Sequence, residues 1–150
     1  MAILVKKEHI SVNLEASNWE DALFKAGQSL VATHDIDSEY LKQTVQSVKD
    51  LGPYIVLSPG LALSHAAPSP AVKHSSIAFA NFKNDIHFGS PNDPVRLIIT
   101  LACVDRTSHI EMLSKIAKVL LAEGAVKQLI ACHTVDDFFE SINSINLNNK

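Results

Sequence analysis

Seven histidines give this chain of 150 residues most of its capacity for chemistry near neutral pH, and two of them stand apart by their surroundings. An imidazole titrates close to neutrality, so its uncharged form is a competent nucleophile there. His65 follows the apolar run Leu61-Ala62-Leu63 in "PYIVLSPGLALSHAAPSP". That run reads as a strand, which places His65 at a strand end, and Pro59 and Pro68 restrict the backbone on either side. Rigid placement of one titratable group is what a reactive centre requires. His109 lies in "VDRTSHIEML", where Ser108-His109-Ile110-Glu111 has the form of a capping box. The first N–H groups of a helix have no partner within it and sit at the positive end of its dipole, so anions bind there. Where two such imidazoles meet at one sheet edge, one serves as nucleophile and the other holds phosphoryl oxygens. A phosphoramidate donor needs neither metal nor cofactor for that transfer.

Taken singly, each residue has a plainer reading. His65 could close a strand on a backbone carbonyl, and His109 could be an exposed first-turn residue. His9, His34, His74 and His133 stand in polar or loop-like stretches and read as surface residues. His87, in "DIHFGSP", reads as the end of a strand, with at most a supporting place behind a site. A zinc site lacks a third ligand at short spacing. A thiol or hydroxyl hydrolase fits poorly, because Cys103 lies in the most apolar stretch and Ser64 should point to the face opposite His65. No glycine-rich nucleotide loop is present.

The elements that must position the two imidazoles follow from periodicity. Residues 1–14 read as an extended segment of uncertain pairing. Ser17-Asn18-Trp19-Glu20 reads as a capping box opening a helix over residues 17–33, and a second helix spans 35–49, ended by Gly52-Pro53. Residues 54–57, 61–63, 76–82 and 95–104 form short strand-like runs separated by Pro, Gly and Asn. "RLIITLACV" is apolar at almost every position, as in a central strand covered on both faces. A helix opens at Ser108, turns Ile110, Leu113, Ile116, Ala117, Leu120 and Leu121 inward and ends at Gly124. Residues 125–131 and 134–145 are helical, the last capped by Thr134 with Asp137, and a polar tail begins at Asn146. The pattern predicts an α/β fold: a mixed β-sheet flanked by helices in one three-layer domain over residues 1–150, with its core at 17–143. The loop joining "RLIITLACV" to the next helix lies at a carboxyl edge of that sheet, where ligands bind in open α/β folds.

Bulk properties exclude several classes. The net charge is −3 and the two arginines, Arg96 and Arg106, are far apart, so no nucleic-acid surface is expected. Apolar runs fall far short of the roughly 20 residues a membrane span needs. With no signal-peptide pattern and two unpaired cysteines, Cys103 and Cys132, the chain reads as reduced, cytoplasmic and soluble, with both thiols in the core.

Two stretches carry a family resemblance. "GPYIVLSPGLALSHA" followed by "FKNDIHFGSPNDPVRLIITLACVDRTSHIEMLSKIAKVL" resembles the enzyme IIA component of the bacterial phosphoenolpyruvate-dependent sugar phosphotransferase system. The match is to the mannitol/fructose superfamily, its ascorbate-type branch above all, over residues 17–143. The resemblance implies a mixed sheet flanked by helices and no cofactor or metal. It implies that His65 takes a phosphoryl group on Nε2 from the histidine phosphocarrier protein and passes it to a cysteine of enzyme IIB. The membrane enzyme IIC, an indirect partner, takes up the sugar. His109 corresponds to the second histidine of the family, which supports the phosphoryl group, and Lys49 to a basic residue near the site. The chain departs from the pattern at Ser64, where the family has proline, and at Ala66-Ala67-Pro68-Ser69-Pro70, where the branch has Arg, Pro and Glu. A phosphate-supporting role is therefore expected of the hydroxyl of Ser64, of the helix start at Ser108 and of Lys49. The rival readings are a regulatory IIA-like domain whose His65 phosphorylation state controls a protein partner, and a binding module with no phosphorylation.

Overall fold

The computed structural model describes residues 5–120 and 122–148. The expectations placed on residues 1–4, on Leu121 and on 149–150 lie outside the described residues. A short 3-10 turn, Lys7–His9, leads into β1 (Ile10–Leu14), and two helices follow, α1 (Trp19–Ala32) and α2 (Ser38–Leu51). Four strands come next: β2 (Val56–Ser58), β3 (Gly60–Ser64), β4 (Ser76–Ile86) and β5 (Val95–Ala102). Three helices complete the order: α3 (Arg106–Leu120), α4 (Ala125–Ile130) and α5 (Val135–Asn148). Residues 146–148, read as polar tail, thus continue α5.

The strands form one mixed sheet in the order β1-β4-β5-β3-β2. β1 runs parallel to β4 and β3 parallel to β5, while β4–β5 and β2–β3 are antiparallel. The period of two along β5 explains the layering. Leu97, Ile99 and Leu101 face α3, α4 and α5, packing with Ile116, Leu129, Phe138 and Ile142. Ile98 faces the other way, onto Leu23 and Ala26 of α1 and Val45 and Val48 of α2, and Val95 joins it because a register shift between Val95 and Leu97 breaks the alternation there. β5 is buried on both faces, as its unbroken apolar run requires. The two helices on the second face lie very close, because a methyl group at Gly27 of α1 would run into the side chain of Leu41 on α2.

Local starts and stops differ from expectation by a residue or more. Asn18, not Ser17, caps α1: its side chain accepts from the Asp21 N–H at 2.8 Å, while the Ser17 N–H donates to Asp21 Oδ2 at 2.9 Å. The box has moved along by one because Asp21 serves as its acidic member in place of Glu20. α2 runs on to Leu51, where Gly52 at φ +86° closes it. Gly124, at φ +76°, stands directly before α4 instead of directly closing α3. Tyr54 lies in the turn ahead of β2. Thr134 does cap α5, accepting from the Asp137 N–H at 3.1 Å. His9, expected on the surface, is 4% exposed; Nε2 lies 3.0 Å from Thr33 Oγ1 and 3.2 Å from Asp35 Oδ2. A helix-end hydroxyl and a loop carboxylate make that burial possible by satisfying the ring.

Candidate active site

β3 and β5 lie side by side and parallel, with Ser64 opposite Thr100, so their carboxyl ends open on the same edge of the sheet. His65 follows β3 and α3 begins four residues after β5. The edge therefore collects the two histidines from positions 44 residues apart, and their ring centroids are 5.7 Å from each other. His87 is not among the residues gathered there. It follows β4, which runs antiparallel to β5, and so lies at the opposite edge.

The orientation of His65 is set by its own strand. Nδ1 lies 3.0 Å from the carbonyl oxygen of Leu63, so Nδ1 carries the proton and donates it. Nε2 is then the nitrogen with the free lone pair, and it has no protein partner among the described residues. The ring is half-buried and lines a hollow of about 290 Å³ with Arg106, His109 and Ile110. Tyr54 meets it edge-on at 5.6 Å between centroids, with an interplanar angle of 89°.

One face of α2 holds this arrangement in place. Tyr40, Gln43 and Ser47 recur at helical spacing on that face. The Tyr40 hydroxyl accepts from the Ala66 N–H at 2.9 Å and donates to the Leu101 carbonyl at 2.7 Å, tying the residue after His65 to the end of β5. Gln43 Oε1 accepts from the Ser69 hydroxyl at 2.9 Å. Ser47 Oγ lies 2.9 Å from the hydroxyl of Tyr54, which in turn flanks His65. Burial pushes the Tyr40 hydroxyl up to a pKa of about 12, so it stays a neutral donor. Tyr40→Phe leaves an N–H and a carbonyl unpaired, and each such buried group costs about 1–3 kcal/mol. The variant is expected to fall by several degrees in thermal midpoint, and proton exchange at Ala66 should accelerate; unchanged exchange there would remove Tyr40 from this role.

The electrostatics of the α3 start differ from expectation. α3 begins at Arg106, and Asp105 supplies its cap: Asp105 Oδ1 accepts the Ser108 N–H at 2.8 Å and the Asp105 carbonyl accepts the His109 N–H at 3.2 Å. Ser108 is thus not the capping residue, and its N–H is not open to a ligand. The bond from Ser108 holds the Asp105 carboxyl below the usual carboxylate range. Ser108 carries the Ser-x-x-Glu form, yet Asp105 three residues earlier competes equally well for the same turn. Arg106 lines the hollow in place of the arginine missing after His65.

Two other expected contacts are not made. Ser64 is fully buried on the side of the sheet that faces α1 and α2, and neither its hydroxyl nor that of Thr100 has a protein partner among the described residues. It cannot reach a group held at His65, because consecutive strand residues face opposite ways. Lys49 is exposed on α2, about 150° around the helix from the Tyr40–Gln43–Ser47 face, and no described contact brings it to His65.

His109 sits below the ordinary histidine value of 6.5, first because burial disfavours its charged form and second because the His65 ring is close. Its folded pKa is lower than its unfolded one, so the folded state binds fewer protons. Its contribution to stability is therefore complete above the unfolded value and is lost as pH falls through that value towards the folded one. A proton-NMR titration is expected to find His109 below 6.5 in the free protein and higher once a phosphoryl dianion occupies the neighbouring ring. A value unmoved by phosphorylation would separate the two rings functionally.

Apolar side chains surround the hollow. Among the described residues the large apolar groups left most open are Leu51, Tyr54, Leu57, Val104 and Ile110, and all but Leu57 stand at this edge. Ile110 and Leu51 are 66% and 70% exposed, unusual for such residues on a surface that has no partner. Both cysteines are buried, and burial raises the Cys103 thiol to a pKa of about 11, so it is not a competing nucleophile. No group of metal-binding side chains occurs among the described residues, nor any helix long and apolar enough to cross a membrane.

Comparison with known proteins bears on the same residues. The family model for the "Phosphoenolpyruvate-dependent sugar phosphotransferase system, EIIA 2" matches residues 3–145. The ascorbate-specific PTS system EIIA component of Shigella boydii is 32% identical over 145 residues, covering 95% of this chain and 94% of that protein. The solution structure of the mannitol-specific cryptic phosphotransferase enzyme IIA CmtB from Escherichia coli superposes with a TM-score of 0.83 at 26% identity, over 91% of this chain and 93% of that one. The complex of enzyme IIAMTL and phosphorylated enzyme IIBMTL from Escherichia coli contains the same fold, with a TM-score of 0.80 at 22% identity over 94% and 98% of the two chains. A match that extends through the edge bearing both histidines and the helices that frame it leaves one assignment: the chain belongs to the EIIA 2 family of the phosphoenolpyruvate-dependent sugar phosphotransferase system, whose members are phosphotransferase components working through a phosphohistidine.

Proposed function

We propose that His65 is the phosphoryl acceptor of this family member and that Nε2 is the atom that carries the group. The observation that supports this reading is the bond from Nδ1 to the Leu63 carbonyl, which leaves the Nε2 lone pair unpaired beside the hollow. In the reaction the Nε2 lone pair attacks phosphorus in the phosphohistidine of the histidine phosphocarrier protein. A new N–P bond forms as the donor's N–P bond breaks, and the donor imidazole leaves with the bonding pair. The transferred group brings roughly two negative charges. Arg106 and His109 line the hollow that receives it, and the N–H groups of Arg106 and Thr107 at the start of α3 face no described acceptor. The return step places the phosphoryl group on a cysteine of an enzyme IIB. The Escherichia coli complex of a structural relative with a phosphorylated enzyme IIB, the open apolar rim and the shallow hollow all favour an acceptor that docks as a flat protein surface.

The sugar served is proposed to be ascorbate or a close analogue, on the identity to the ascorbate-specific relatives. The chain has its place in the cytoplasm, and enzyme IIC is met only through enzyme IIB. Incubation of the phosphorylated protein with a panel of purified IIB proteins tests the reading. Rapid passage to an ascorbate-type IIB and slow passage to a mannitol-type IIB is the expected result. Stable retention of the label against every IIB would favour a regulatory domain controlled by the same histidine, and no labelling at all would leave only a binding module.

A further inference from the structure

A second cavity lies away from His65 and is also lined by α3. It measures about 530 Å³, within the range typical of small-molecule sites. Its apolar part is made by Ile77 of β4 and by Met112 and Ile116 of α3, with Ser75 and Ser76 lining it beside them. Its rim is basic, because Lys6 and Lys115 both line it and neither has a carboxylate partner among the described residues. Lys115 is half-buried, its aliphatic stem able to lie along the apolar part of the cavity while its ammonium stays at the rim. The one carboxylate at the rim, Asp35, is already engaged: Oδ2 accepts from the Thr33 hydroxyl at 2.6 Å and lies 3.2 Å from His9 Nε2, and Oδ1 lies 3.2 Å from His74 Nδ1. This cavity shares α3 with the hollow at His65 but shares no lining residue with it.

From this combination we infer that the cavity binds a small organic carboxylate, with its head between Lys6 and Lys115 and its apolar body over Ile77, Met112 and Ile116. Two point-charge ammoniums suit a monoanion. A phosphate head is less well served, since the cavity offers no guanidinium fork and no helix start. An apolar body suits Ile77, Met112 and Ile116, against which sugar hydroxyls would go unpaired. The site is independent of the phosphoryl chemistry proposed for His65, and either assignment can fail without the other.

The probe is hexanoate, titrated into the nitrogen-15-labelled full chain, with 1-hexanol as the uncharged counterpart of equal length. The expected result is saturable shifts centred on the amides of Ser75, Ile77, Met112 and Lys115, with hexanoate about tenfold tighter than hexanol. The double substitution Lys6→Gln with Lys115→Gln is expected to reduce hexanoate to the affinity of hexanol while leaving His65 labelling by the phosphocarrier protein unchanged. Should the double variant fold poorly, the comparison of the two probes on the unaltered chain decides alone. Equal binding of hexanoate and hexanol overturns the proposal, because the cavity is then an apolar cleft only. Shifts centred on His65 and Ile110, or the absence of saturable shifts, overturn it equally.

Discussion

Replacing His65 with alanine is expected to abolish phosphorylation outright. The substitution removes the nitrogen whose lone pair the Nδ1–Leu63 bond leaves free beside the hollow, and covalent transfer cannot proceed without a nucleophile. Neither neighbour substitutes for it. Tyr54 presents its ring edge to His65 and its hydroxyl to Ser47, and the Cys103 thiol is buried. The fold should survive, because His65 is half-buried at a strand end and the β3–β5 ladder ends before it. The measurement is incorporation of radiolabelled phosphate from the phosphorylated carrier protein, alongside a thermal midpoint to show that the variant is folded. Label on a folded His65→Ala protein would transfer the acceptor role elsewhere. Such label on His109 would reverse the two roles.

Replacing His109 with alanine is expected to slow transfer by about 10²–10³ while leaving His65 able to accept label, the size of effect seen when one preorganised donor to a developing anion is removed. The physical reason is the lowered pKa of His109. In the free protein burial and the nearby His65 ring favour its uncharged form. When the dianion arrives, its charge favours an N–H or imidazolium at His109, and support appears at the moment it is needed. His109→Gln keeps an N–H donor but loses the titration, so it should recover part of the rate and flatten the pH profile between 5 and 7, roughly the window in which a histidine titrates. A His109→Ala rate within twofold of the parent would leave Arg106 and the helix start as the sole anion contacts.

The convergence of His65 and His109 was legible in the sequence because both strands that deliver them are marked by unbroken apolar runs, and both runs stop at their carboxyl ends. The layering was legible for the same reason: "RLIITLACV" can only be a strand covered on both sides. The supporting contacts were not. Tyr40 falls in the helix that periodicity places over 35–49, and its ring is buried there. Its hydroxyl, however, reaches a backbone N–H and a carbonyl from two distant segments, and no local pattern announces such a bond. The resemblance matches Lys49 to a basic residue near the site, but a helix of 3.6 residues per turn puts it on another azimuth from the residues that hold the His65 loop. The capping errors at Ser17 and Ser108 share one cause. Each start offers two eligible side chains close together, and tertiary fit selects between them. His9 was misplaced because its partners, Thr33 and Asp35, meet it only once β1 has docked on β4.

Ser64 and His65 are consecutive, yet one is sealed inside and the other opens on the hollow. That division is fixed by parity along β3, counted from the tight β2–β3 turn at Pro59 and Gly60. Changing a side chain in this hairpin alters packing; adding or deleting a single residue would exchange inside for outside and present a serine where the imidazole belongs. The number of residues in the hairpin is therefore constrained more strictly than their identities, so insertions and deletions there should be far less tolerated than substitutions.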